Sequence, residues 1–100
     1  MPLTSRLERR IRRDFPDPDI AAEISRRLVA LPETMGYSRD AFGHERCHAA
    51  MLLLAGGSVR GFDEAQELAA RDWRDLLVAA DLAESDWPAR LDTELGPETP

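Results

Sequence analysis

The chain has no lysine and no asparagine, and all thirteen of its basic residues are arginine. Together with abundant alanine, that bias is the codon signature of a GC-rich, bacterial-type genome and carries no information about activity. There is one cysteine, Cys47, which excludes an internal disulfide and fits a reducing, cytoplasmic compartment. The longest unbroken apolar run, Ala49 to Ala55, is far short of the ~20 residues that cross a bilayer, so no membrane span is expected. No apolar stretch follows the arginine-rich start, which argues against a secretory signal. No segment alternates β-branched and polar residues in the manner of a strand. A phosphate loop, a nucleophile triad and a glycine-rich cofactor turn are all missing, so no cofactor is expected.

What is present describes a folded domain. Of 100 residues, 43% are hydrophobic and 32% charged, a balance that supports one core and argues against disorder. A single helical domain over 1–100 is expected, with 1–4 and 97–100 as frayed ends. The net charge of −6 is unevenly placed. Residues 1–50 carry nine arginines and eight acids, whereas residues 51–100 carry four arginines and eleven acids. Such a chain repels a polyanion unless a local basic patch dominates.

Helical periodicity and capping account for most of the length. Ser5 with Glu8 reads as a capping box opening a first helix to about Asp14, with Leu3, Leu7, Ile11 and Phe15 as its apolar stripe. Phe15-Pro16 ends that element, because proline disfavours helical geometry in the residue before it. Asp17-Pro18-Asp19 opens a second helix with a cap, a proline at the first position and an acid at the positive dipole end. Ile20, Ile24, Leu28 and Leu31 form its stripe and Pro32 is expected to stop it. Residues 32–43 read as the longest loop, in which Ser38 could cap an early turn.

A third helix is expected from about His44 to Ala55, apolar nearly all round in its second half and therefore central to a bundle. Gly56-Gly57 supplies its left-handed cap, and Ser58 opens the next element. From Val59 to Ala80 the apolar register would suit one long helix, yet Asp72-Trp73 and Asp86-Trp87 share the pattern D-W-x-x-x-L. Aspartate as a cap before a tryptophan favours a break near Arg71 and a last helix from about Asp86 to Leu95, ended by Gly96-Pro97. The expected fold is all-α, a small orthogonal or antiparallel bundle of five or six helices. Its core should hold Leu7, Ile11, Ile24, Leu28, Met51, Leu54, Trp73, Leu77 and Leu91.

The stretch DWRDLLVAADLAESDWPARLDTELG, preceded by AAMLLLAGG, resembles small uncharacterised helical proteins of actinobacteria. The resemblance spans roughly residues 45–96 and rests on the paired Asp-Trp positions. It implies no activity, and His44 and His48 are not part of that group's pattern.

One motif looks like chemistry. His44-Glu45-Arg46-Cys47-His48 matches H-E-x-x-H on a helix, in which two histidines one turn apart reach one Zn²⁺ and the glutamate activates its water. Four features oppose a zinc-dependent hydrolase. Arg46 places a charge where that helix is normally buried, and no third ligand follows, since Glu64 and Glu67 are only generic acids. No edge strand is available to align a substrate. Finally, the helical wheel centres the buried face on Cys47, Met51 and Leu54 and leaves His44 and His48 half-exposed on its shoulder. Neither a catalytic residue nor a metal site is therefore expected, with His44, His48 and Glu45 as the fallback candidates. Cys47 should behave as a small hydrophobe.

The remaining candidates are interaction residues. Arg6, Arg9, Arg10, Arg12 and Arg13 lie opposite the apolar stripe of the first helix. They form a solvated face, a face docked on the acidic second half, or a phosphate-binding stripe. Nucleic acid is disfavoured by the overall charge and by the lack of an aromatic platform beside them. Trp73 and Trp87 should anchor the core and would become partner contacts if exposed. By elimination, the expected function is protein–protein interaction in the cytoplasm, with another protein or a second copy of the chain. The alternatives are a zinc hydrolase and an arginine-helix nucleic-acid binder.

Overall fold

The computed structural model describes residues 3–35 and 41–96, with side chains described for 3–30 and 45–96. Six helices follow one another: α1 (Ser5–Asp14), α2 (Pro18–Met35), α3 (Ala41–Ala55), α4 (Val59–Arg71), α5 (Trp73–Ala79) and α6 (Trp87–Leu95). No strand occurs among the described residues. The fold is a small all-α bundle, as the periodicity requires.

Its centre is α3, which packs against α1, α4, α5 and α6. Ala49, Ala50, Met51 and Leu52 are consecutive and all fully buried. Four successive positions span every direction around a helix, so α3 has no solvent side at that level. Around it Leu7, Ile11, Ile24, Leu28, Phe62, Leu76, Leu82 and Leu91 are at most 1% exposed, each such burial stabilising the fold by about 1.5–3 kcal/mol. Seven of the nine expected core residues are buried, while Leu54 and Trp73 are half-buried at the core's edge. Ile20, expected in the α2 stripe, is 38% exposed, and in that first turn it is Ala21 that packs against the core. Leu31 and Ser38 fall outside the residues whose side chains are described.

Local sequence sets most of the helix ends. Asp17 Oδ1 accepts from the Asp19 and Ile20 N–H groups at 2.9 and 3.4 Å, and Pro18 begins α2 as expected. Gly56 and Gly57 have φ of +59° and +81°, closing α3 in the left-handed region where a Cβ is penalised. Ser58 Oγ accepts from Gly61 N–H at 2.9 Å and opens α4. A Cβ on Gly61 would sit 2.3 Å from the Ala55 carbonyl oxygen, so only glycine lets α4 turn back this tightly on α3. The break between α4 and α5 falls at Asp72, whose extended backbone ends one helix while its carboxylate accepts from Arg74 N–H to start the next.

Three boundaries differ from expectation. The α1 cap is Thr4, not Ser5: its hydroxyl oxygen accepts from Leu7 N–H at 3.4 Å and its O–H donates to Glu45 Oε2 at 2.7 Å. A tertiary bond thus selects between two adjacent hydroxyl residues, and Thr4 belongs to the fold instead of a frayed end. Pro32 does not stop α2, which continues to Met35. A proline removes one N–H from a helix and strains it without abolishing the turns on either side. Conversely, α3 begins at Ala41 and takes in Gly43, three residues before the expected start.

Candidate functional site

The H-E-x-x-H segment lies on the first half of α3, and its glutamate is committed elsewhere. Glu45 is 7% exposed and faces Arg6 of α1, itself 7% exposed. Arg6 Nη2 donates to Glu45 Oε1 at 2.5 Å and Arg6 Nε donates to Oε2 at 3.0 Å, a two-pronged pair. With Thr4 also donating to Oε2, both carboxylate oxygens are occupied. Burial alone would raise the Glu45 pKa, but the hydrogen bonds from Arg6 and Thr4 outweigh it and hold the carboxyl below its ordinary value. Arg6 is pushed further up by the same bond to Glu45, against the opposing effect of its own burial. A glutamate serving a metal-bound water must face that water and accept its proton. Glu45 faces a guanidinium instead.

His48 is 1% exposed, which corrects the half-exposed shoulder position expected from the wheel. The wheel assumed one buried face, whereas α3 is enclosed by four other helices. Cys47 is likewise buried, as expected of a small hydrophobe. The side chain of His44 lies outside the described residues. Among the described residues, no three His, Cys, Asp or Glu side chains gather as metal ligands would.

The arginine face of α1 has an intramolecular role in three of its five members. Arg6 Nη1 donates to Asp92 Oδ1 of α6 at 2.6 Å and to the Gly96 carbonyl at 3.4 Å. Arg9 donates to the Leu95 carbonyl at 3.0 Å, and Arg10 to the Glu94 carbonyl at 2.8 Å. Residues 94–96 are the end of α6, whose last carbonyls have no intrahelical partner and carry the negative pole of the helix dipole. Three cations spaced i, i+3 and i+4 on α1 therefore cap a helix roughly ninety residues away in sequence. Arg10 also bonds Asp14 of its own helix at 2.8 Å. Arg12 and Arg13 remain at the surface, with the Arg13 side chain 73% exposed and 4.0 Å from Asp14. Sequence reasoning did not find Thr4, Asp92 or the carbonyls of 94–96. The available signal was the single row of Arg6, Arg9 and Arg10 against an acidic second half.

Trp73 and Trp87 are both half-buried and packed against the core's edge. The Arg46 guanidinium lies 5.0 Å from the Trp87 ring centroid and donates through Nε to the Leu82 carbonyl at 2.7 Å, tying the segment before α6 to α3. Arg46, which disfavoured a buried metal helix, is thus a stacking partner. Three surface depressions bear on binding. One, at the break between α4 and α5, holds about 420 Å³ beside Ala69, Arg71, Asp72, Trp73 and Arg74. A second, of about 330 Å³ between α1 and α2, includes Glu8, Ile11, Arg12 and Pro18. The third, where α3, α4 and α5 meet, is lined by Leu54, Gly61, Glu64, Ala65, Leu68 and Ala79, and holds about 210 Å³. On α5, Val78 beside it in sequence is 66% exposed, more than any other large hydrophobic residue described.

No protein-family model, curated protein or solved structure matches the chain. No described helix is long and apolar enough to cross a membrane.

Proposed function

We propose that this chain is a small cytoplasmic protein-interaction module. The observation that carries the reading is the open groove between α3, α4 and α5, whose lining residue Ala79 is followed back along α5 by the exposed Val78. Its volume of about 210 Å³ is below the ~300–1,000 Å³ of small-molecule sites and better suits single side chains of a partner. The two alternative chemistries have weaker footing in the geometry. Glu45 is held by Arg6 and Thr4, and Arg6, Arg9 and Arg10 bond the end of α6.

The test is site-specific photo-crosslinking in the source cell, with the photoreactive residue at position 79 in the groove or at position 22 on α2. A discrete adduct from position 79, absent from position 22 and lost on Leu68→Asp, supports the module. Equal labelling from both positions, or none from either, removes it.

A further inference from the structure

We infer that the groove between α3, α4 and α5 receives the apolar face of a cationic amphipathic helix; this rests on the interaction-module reading. The α4 wall is built from Gly61, Glu64, Ala65 and Leu68, spaced i, i+3, i+4 and i+7, so one continuous helix face lines it. Leu54 of α3 and Ala79 of α5 complete the lining. Ala79, exposed on α5, carries little side-chain bulk, so an incoming helix comes close at that edge, whereas the space beside Gly61 is taken by the Ala55 carbonyl and Ala65 is 4% exposed. In the groove mode of recognition an incoming amphipathic helix presents apolar anchors along one face, and a depression of about 210 Å³ takes single side chains from that face.

Charge selects the occupant. Every lining residue belongs to 51–100, the half with four arginines against eleven acids. Glu64 stands in the lining, and Glu67, also exposed, follows one turn along α4. Arg60 pairs with Glu64 at 3.6 Å with its side chain 91% exposed, a pairing that contributes little in water. A second copy of the chain would bring a net charge of −6 against −6, whereas a lysine- or arginine-bearing helix is drawn in. The depression between α1 and α2 offers no such selection, since Glu8 and Arg12 oppose each other on its rim.

The probe is a fluorescent amphipathic peptide of about eighteen residues built from leucine and lysine at helical spacing, long enough to form several turns. Its control is the same pattern with glutamate in place of lysine. We expect the full-length chain to bind the lysine peptide at about 0.15 M salt and not the glutamate peptide. Ala79→Trp, which fills the groove from an exposed position, and the pair Glu64→Lys with Glu67→Lys should each weaken binding at least ~ten-fold, or more than ~1.4 kcal/mol. Glu23→Lys on α2 should leave it unchanged. Failure of the lysine peptide to bind, equal binding of both peptides, or indifference to Ala79→Trp overturns the inference. Light scattering of the same samples separates that failure from failure of the module itself. A self-associated chain that Ala79→Trp returns to monomer keeps the groove as an interface and refutes the cationic occupant.

Discussion

Arg6 and Glu45 face each other across the α1–α3 contact through two hydrogen bonds of 2.5 and 3.0 Å, both side chains lying more than nine-tenths out of water. Removing two charges from water costs several kcal/mol per ion, which good geometry offsets but seldom exceeds. The pair's consequence is therefore asymmetric. Replacing both partners by hydrocarbon of similar volume, as in Arg6→Met with Glu45→Leu, should change stability by less than ~1.5 kcal/mol, because Asp92 is 65% exposed and is rehydrated when its partner goes. Glu45→Gln alone removes the two-pronged charged pair from a buried guanidinium that keeps Asp92 and the Gly96 carbonyl, and should cost about 1.5–3 kcal/mol in urea denaturation. A single-variant loss below ~1 kcal/mol would mean the pair opens to water in solution.

The same pair sets an acid limit. Because the folded Glu45 carboxyl titrates below its ordinary 4.5, its contribution is fully present above that value and is lost as pH falls through the lower, folded pKa. The urea midpoint should be flat from neutrality down to about pH 5 and then fall. Glu45→Gln, lower throughout, should lose most of that acid slope. Asp72 is also held low, chiefly by hydrogen bonding from Arg74, but lies at the surface where water screens the effect. A wild-type profile parallel to that of the variant between pH 3 and 6 would assign the acid transition to other groups.

Asp81 is the single described non-glycine residue with positive φ, at +61°. It ends α5 in a two-bond cap: Asp81 N–H donates to the Val78 carbonyl at 3.1 Å and Leu82 N–H to the Leu77 carbonyl at 2.8 Å. Leu77 and Leu82 are both buried, the hydrophobic contact that accompanies such caps. Aspartate tolerates the left-handed region better than most residues, and β-branched residues tolerate it poorly. Asp81→Gly should stay within ~0.5 kcal/mol of wild type, since relief of backbone strain is offset by loss of the exposed pair with Arg90. Asp81→Val should be about 1–2 kcal/mol less stable than Asp81→Gly. Equal stability of the two variants would show that the chain leaves α5 by another route.

The contrast between Asp72 and Thr4 shows which features were legible in the sequence. Asp72 caps α5 through an N–H two residues away, so there the pattern D-W-x-x-x-L carried its own answer, whereas Asp86 in the same pattern makes no side-chain cap bond to α6. Thr4 and Ser5 are equivalent as local caps, and the choice falls to Glu45, forty-one residues on. The reading of His48 failed for a related reason. A wheel assigns one buried face from one helix's own sequence, but His48 is covered because α1, α4, α5 and α6 all close on α3. Leu54, placed by the same wheel at the centre of the buried face, lies half-exposed on the groove wall. Glu45 read as chemistry because its motif is local, while the guanidinium that occupies it is thirty-nine residues away.

The arginine row of α1 provides the last prediction, because its members look alike in sequence and differ in the fold. The Arg10 side chain is 15% exposed and bonds both Asp14 and the Glu94 carbonyl, whereas that of Arg13 is 73% exposed. Arg10→Ala removes two charge-assisted bonds, one of them to the end of α6, and should cost about 1–3 kcal/mol. Arg13→Ala should fall within ~0.5 kcal/mol of wild type, as surface substitutions do. The same division bears on nucleic acid. A phosphate-binding stripe needs several cations directed at solvent, and only Arg12 and Arg13 of the row are exposed without a bond to α6. Two such contacts yield a shallow salt dependence and weak affinity, further reduced by the acidic second half. Fluorescence titration with short DNA and RNA duplexes at about 0.15 M salt should detect no binding. Micromolar affinity there, abolished by Arg12→Glu with Arg13→Glu while the melting temperature holds, would make the outer edge of α1 the functional surface and displace the groove.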